Sequence, residues 1–149
     1  MLAFYQMKNW FTEQEDIVKI PLVKRVKIRD FKVIKEADIE FGPKLNIITG
    51  KSGGGKTTVL DCLTESLHLE KLSKRELIEF QIQQEINPGC LLIDNLLYAL
   101  SSESLLKILK KLENCGSQVI VTLHKERLKE VEGKIQAKII DVDKFKLKS

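Results

Sequence analysis

Gly50-Lys51-Ser52-Gly53-Gly54-Gly55-Lys56-Thr57 fits the pattern G-x-x-x-x-G-K-[ST] at every fixed position, and each fixed position has a physical task. The glycines let the backbone turn tightly and bring successive N–H groups onto an anion. Lys56 supplies a compact cation for the β- and γ-phosphates of a nucleotide, and the hydroxyl of Thr57, with Thr58 after it, suits a Mg²⁺ ligand. A Gly-rich linker beside a lysine gives the same letters by chance, but here the flanks argue otherwise. Leu45-Asn46-Ile47-Ile48-Thr49 is a short apolar run fit for a buried strand, and Thr57 to Leu63 carries Val59, Leu60 and Leu63 at helical spacing. A strand, a glycine-rich turn and a helix N-terminus together aim aligned peptide dipoles at a phosphate.

Outward from this stretch the chain alternates. Val26, Ile28 and Phe31 predict a strand that reaches a turn near Asp30, and Ala37, Ile39 and Phe41 a second, closed by Gly42-Pro43. The helix behind the loop runs to about Leu69. Ser73, with Glu76 at the capping-box position, predicts another helix through about Ile86, with Leu77, Ile78, Ile82 and Ile86 as its apolar stripe and Asn87-Pro88-Gly89 as its breaker. Cys90-Leu91-Leu92-Ile93 is an apolar strand that ends on Asp94. Ser101 or Ser102 caps a helix with Leu105, Leu106, Ile108, Leu109 and Leu112 inside, closed by Gly116. Gln118 to Leu123 is a strand that ends at His124; a short helix and a last strand, about Ile135 to Val142, follow. The pattern is α/β: a mixed, mainly parallel sheet flanked by helices, with an antiparallel N-terminal β part.

The chain has 149 residues, most simply one domain with a real core, over residues 22–149. Residues 1–21 form an aromatic-rich extension, in which Phe4, Tyr5, Trp10 and Phe11 either cover an edge of the core or offer a partner a docking surface. No apolar run approaches the roughly 18 residues needed to span a bilayer, no signal pattern opens the chain, and the expected location is cytoplasmic. Cys62, Cys90 and Cys115 lack C-x-x-C spacing and read as small core residues in a reducing compartment. The net charge of +4 permits contact with nucleic acid without demanding it. Lys24, Arg25, Lys27 and Arg29 are either a patch for DNA phosphates or a solvated strand face.

Asp94 follows four apolar residues, so its carboxylate emerges at the C-terminal end of a buried strand, where ligands sit in open α/β sheets. With a phosphate loop upstream, a carboxylate there suits the Mg²⁺ that bridges terminal phosphates. His124 has the same placement and can donate to a γ-phosphate oxygen. In order, the phosphate loop, Leu72-Ser73-Lys74-Arg75-Glu76, Cys90-Leu91-Leu92-Ile93-Asp94 and His124 resemble the head domain of ABC-type ATPases. Val26-Lys27-Ile28-Arg29-Asp30-Phe31-Lys32, Ile39-Glu40-Phe41 and Leu45-Asn46-Ile47-Ile48-Thr49-Gly50 resemble the opening of the SMC/RecF branch, which serves chromosome organisation and DNA repair. The resemblance spans about Leu22 to Leu128. It implies a homodimer, or a pair with a related head, closed around two ATP–Mg²⁺. It further implies nucleotide contacts from Gly50 through Thr58 and from Lys32, Mg²⁺ held by Thr57 and Asp94, and catalytic roles for Lys56, Asp94, the residue after it and His124. Ser73, Lys74 and Arg75 stand at the signature that meets the partner's nucleotide, and Ser101 lies near the dimer seam.

The sequence also departs from that family. Asn95 stands where a glutamate usually acts on the attacking water, and an amide cannot accept a proton as a carboxylate does. Hydrolysis is therefore expected to be slow, unless His124 or Glu103 substitutes. Lys74 and Arg75 replace the signature glycines. Only about Glu65 to Lys71 lies between the first helix and the signature, so the helical lobe or coiled coil of the family is missing; a partner protein could supply it. The glutamine usual in that gap is also missing. Three readings follow: an ATP-driven switch, a nucleotide-binding regulatory module that scarcely hydrolyses, and a small kinase. No Arg-rich lid segment supports the last.

Overall fold

The computed structural model describes residues 17–20, 22–51, 55–65, 77–83, 90–94 and 101–148. Its strands are β1 (Ile17–Ile20), β2 (Leu22–Phe31), β3 (Ile34–Glu40), β4 (Leu45–Gly50), β5 (Leu77–Gln83), β6 (Cys90–Ile93), β7 (Gln118–His124), β8 (Lys138–Asp141) and β9 (Lys146–Leu147). Its helices are α1 (Gly55–Glu65), α2 (Ser102–Glu113) and α3 (Lys125–Val131), and a 3-10 turn over Val142–Lys144 joins β8 to β9. The aromatics Phe4, Tyr5, Trp10 and Phe11 lie outside the described residues, but Ile17–Ile20, from the N-terminal extension, pairs antiparallel with β6.

Five strands form the central sheet in the order β1-β6-β7-β4-β8. Its inner strands are parallel, with Leu45 beside Val119, Leu91 beside Val119, and Asn46 beside Lys138. Parallel strands covered on both faces read as nearly continuous apolar runs, because alternate residues enter different cores. Leu45, Ile47, Leu91, Ile93, Val119, Val121 and Leu123 pack with Leu105, Leu109 and Leu112 of α2 and Leu128 and Val131 of α3. Ile48, Leu92 and Ile120 face the other way, toward Val59, Leu60 and Leu63 of α1 and toward the second sheet. Ser101 is the N-cap of α2: its hydroxyl accepts the Ser104 N–H at 3.2 Å. Cys62 and Cys90 are buried and Cys115 is half-buried; burial pushes the Cys90 and Cys115 thiols up.

The second sheet, β5-β2-β3-β9, is antiparallel. Val23, Val26, Ile28, Ile34, Ala37 and Ile39 form its inner face. On the outer face three of the four cations of β2 stand opposite carboxylates of β3: Arg25 by Glu40, Lys27 by Asp38, and Arg29 by Glu36. Arg25 Nε donates to Asp38 at 2.8 Å, and that guanidinium holds the Asp38 carboxyl below its usual range. Arg25, Lys27 and Arg29 thus share a strand face with the carboxylates of β3, and Lys24 is exposed.

The helix expected from Ser73 to Ile86 is not formed: Leu77–Gln83 is β5. Ile78, Phe80 and Ile82 alternate with Glu79, Gln81 and Gln83, a period of two. The register sets Ile78 beside Ile28, Phe80 beside Val26 and Ile82 beside Val23, all inner-face positions of β2. A helical stripe through Leu77, Ile78, Ile82 and Ile86 overlooks Phe80. The edge of β2 offers a ladder of hydrogen bonds that an isolated short helix cannot match.

Two buried amides tie the layers together. Gln118 Nε2 donates to Val23 O at 2.7 Å and Gly42 O at 2.8 Å, while its Oε1 accepts Val23 N–H at 2.8 Å. Asn46 Oδ1 accepts Gly42 N–H at 2.7 Å, and its Nδ2 donates to Gly42 O at 3.0 Å.

Candidate functional site

Parallel strands end together, and here the C-terminal ends of β4, β6, β7 and β8 gather the groups with chemistry. Gly50 closes β4 directly beside His124 of β7. Ile93 pairs with Val121, which brings Asp94 alongside Thr122. The loop then enters α1 at Gly55. Lys56 Nζ reaches back to the Gly50 and Lys51 carbonyls, 3.1 Å from each. Ser52, Gly53 and Gly54 lie outside the described residues, as do Asn95 and the signature residues Ser73, Lys74 and Arg75. The strand over Leu77–Gln83 corrects the helix expected from Ser73 to Ile86.

Thr57 and Asp94, both expected to hold Mg²⁺, lie side by side. Thr57 Oγ1 lies 3.5 Å from Asp94 Oδ1, adjacency more than a strong hydrogen bond. A hydroxyl and a half-buried carboxylate at one strand end are hard oxygen donors, the class that Mg²⁺ takes, so this donor set fits the ion. Thr122, absent from the sequence-based expectations, is 3% exposed and donates through its hydroxyl to the same Asp94 oxygen at 2.7 Å. Both hydroxyls, of Thr57 and Thr122, thus face Asp94 Oδ1. The signal in the sequence is a lone hydroxyl inside Val119-Ile120-Val121-Thr122-Leu123.

His124 is the N-cap of α3, and its Nδ1 accepts the Glu126 N–H at 3.1 Å. With Nδ1 accepting, the ring proton sits on Nε2, and Nε2 is the donor that remains. Thr58 is buried at the start of α1. Lys32 sits at the β2–β3 hairpin with φ 48°, beside Asp30 at φ 53°, backbone conformations that side-chain-bearing residues seldom adopt. Its Nζ bonds Asp61 of α1 at 2.8 Å, which ties the hairpin to the helix behind the loop.

A second missed group comes from the end of β8. Asp143 accepts the Lys51 N–H at 3.2 Å on each carboxylate oxygen. Lys125 Nζ lies 3.1 Å from Asp143 and 3.2 Å from Asp141. Its hydrogen bond holds the Asp143 carboxyl below the usual range, and the carboxylates of Asp143 and Asp141 raise Lys125. The rule that singled out Asp94, a carboxylate closing an apolar strand, applies equally to Lys138-Ile139-Ile140-Asp141.

Comparison with known proteins adds to this geometry. Residues 25–71 match the model of an AAA domain family. A "DNA replication and repair protein RecF" of Magnetococcus marinus is 49% identical over 39 residues, covering 26% of this chain and 10% of that protein. A "DNA repair protein RecN" of Xylella fastidiosa is 33% identical over 42 residues, 28% of this chain and 8% of the relative. A "DNA double-strand break repair Rad50 ATPase" of Methanopyrus kandleri is 39% identical over 46 residues, 31% of this chain and 5% of the relative. The matched stretch is therefore a tenth or less of each of these relatives' length. No solved structure matches at comparable significance. Among the described residues no helix is long and apolar enough to cross a membrane.

Proposed function

We propose that this chain, whose residues 25–71 carry the opening of an ABC-type ATPase head of the SMC/RecF branch, binds ATP with Mg²⁺ and uses it to join a second head, as a switch in DNA-repair work. The observation that carries this reading is convergence: the loop, Asp94 and His124 occupy the ends of the three adjacent strands β4, β6 and β7. Lys56 and the loop amides hold the phosphates. Thr57 and Asp94 hold Mg²⁺, which when bound draws charge from the β- and γ-oxygens. His124 offers its Nε2–H to the γ-phosphate. Because that hydrogen bond needs the third phosphate, ADP joins the heads less well. The DNA-repair setting rests on the names of the relatives.

Turnover is slow in this reading. Asn95 orients a water but cannot take its proton. A regulatory nucleotide-binding module, with a partner protein supplying the absent lobe, is therefore the second reading, and it shares the same site. Calorimetry with MgATP on the full chain and on Lys56→Ala, with gel filtration under ATP, ADP and no nucleotide, tests the first. Binding lost in Lys56→Ala and a dimer favoured by ATP are expected; a chain that takes up no MgATP ends both readings. Phosphate release before and after Asn95→Glu separates them, since a substantial rate in the unmodified chain rejects the regulatory module.

A further inference from the structure

The 3-10 turn that follows β8 lies against the opening of the phosphate loop. Asp143 accepts the Lys51 N–H, Lys125 grips Asp143 and Asp141 together, and Asp143 N–H donates to Asp141 Oδ1 at 2.9 Å. Between them Val142, 2% exposed, fills the space beside the loop's glycines. A Cβ on Gly50 would lie 2.5 Å from Val142 Cγ2, and one on Gly55 3.3 Å from it. The two ends of the described loop thus close on one side chain. Lys125 directly follows His124, so the histidine that closes β7 and the lysine that holds this turn, the first residue of α3, are neighbours in the chain.

We infer that Asp143, gripped by Lys125, is a positioning residue that fixes the opening of the phosphate loop at Lys51 and thereby sets its affinity for phosphate groups. The inference rests on the reading of the loop as an ATP site. A loop this rich in glycine has many conformations to lose. Where the binding-competent one is a fraction of the population, the apparent Kd rises by the inverse of that fraction. Asp143 removes that freedom at the loop's second residue. A bare carboxylate at this place repels phosphate, and Lys125 supplies the matching charge.

The test is calorimetric titration of the full chain with MgATP, MgADP, and ADP in EDTA. Asp143→Ala is expected to weaken all three by one common factor, about tenfold if the released loop is competent a tenth of the time. A common factor that persists without metal marks the loop, not the Mg²⁺ ligands, and a change in melting temperature alone does not produce it. Asp143→Asn, whose amide oxygen still accepts from Lys51, falls between. Lys125→Met leaves two carboxylates unmatched and weakens MgATP more than MgADP; adding Asp143→Asn to it recovers part of that loss. If Asp143→Ala does not fold, this last pair decides. Wild-type affinity in Asp143→Ala, or a double variant no better than Lys125→Met, overturns the inference while the ATP site stands. Uptake of neither nucleotide by the unmodified chain overturns both.

Discussion

Asp94 is oriented by its neighbours before any ligand reaches it, and Thr122 is the neighbour that acts through the shortest bond, at 2.7 Å. A hydrogen bond to a charged group contributes about 1.5–3 kcal/mol, so its loss is large enough to read as ion affinity. Thr122→Val keeps the shape and removes the donor; Thr122→Ser keeps the donor. The valine variant is expected to need about tenfold more Mg²⁺ for half-saturation of nucleotide binding, each tenfold step being about 1.4 kcal/mol. The serine variant should return to the wild-type requirement, and binding in EDTA should match in all three. A Mg²⁺ titration followed by the fluorescence of a labelled nucleotide measures this. An unchanged Mg²⁺ requirement in the valine variant removes the role. At this scale Lys56, Thr57, Asp94 and His124 were legible because a motif or a strand end marks each. Thr122 and Asp143 were not read, because their roles come from neighbours distant in sequence, Asp94 and Lys51; a lone hydroxyl in an apolar strand marks Thr122 as unusual without naming its partner.

Elements follow the same division. Strands β4, β6 and β7 were legible because burial on both faces leaves them almost wholly apolar, and α2 because its leucines repeat at helical spacing behind a serine cap. The segment after Ser73 was misread because short apolar runs satisfy either period, and the free edge of β2 decided between them. The register puts Lys27 opposite Glu79, and antiparallel partners have Cα atoms about 4.5–5.5 Å apart, within the range of a disulfide. Lys27→Cys with Glu79→Cys should therefore crosslink under mild oxidation, seen by mass spectrometry as one disulfide-linked peptide pair. Of the native thiols, Cys62 and Cys90 are buried and compete poorly, and the half-buried Cys115 is replaced by serine in both variants. A helix over residues 73–86 gives no such register, and failure of the pair to crosslink while Lys27→Cys alone stays reactive would restore it.

In the whole molecule the antiparallel sheet and the central sheet share one apolar core, yet apolar contact does not by itself fix how two layers sit. Gln118 provides that direction. From a buried position on β7 it satisfies both backbone groups of Val23 on β2 and the carbonyl of Gly42, at 2.7–2.8 Å. Its partners lie 95 residues away for Val23 and 76 for Gly42, so the link was invisible to local patterning, although the two-layer architecture was not. Gln118→Leu fills nearly the same volume but strands a buried N–H and carbonyl. Such orphaned groups cost about 1–3 kcal/mol each, and a loss of about 3 kcal/mol is expected in urea denaturation, with a fall in Tm of roughly 6–12 °C for a domain of this size. The loss should be local as well as global: exchange of the Val23 amide should speed up more than that of Val121 at the centre of β7. If leucine is neutral, apolar packing alone holds the layers in place. If the cost appears without faster Val23 exchange, the substitution has damaged β7 itself. A measured cost together with exposed Val23 shows that this amide sets the docking of the sheet whose hairpin bears Lys32, and so the place from which that lysine meets α1 behind the loop.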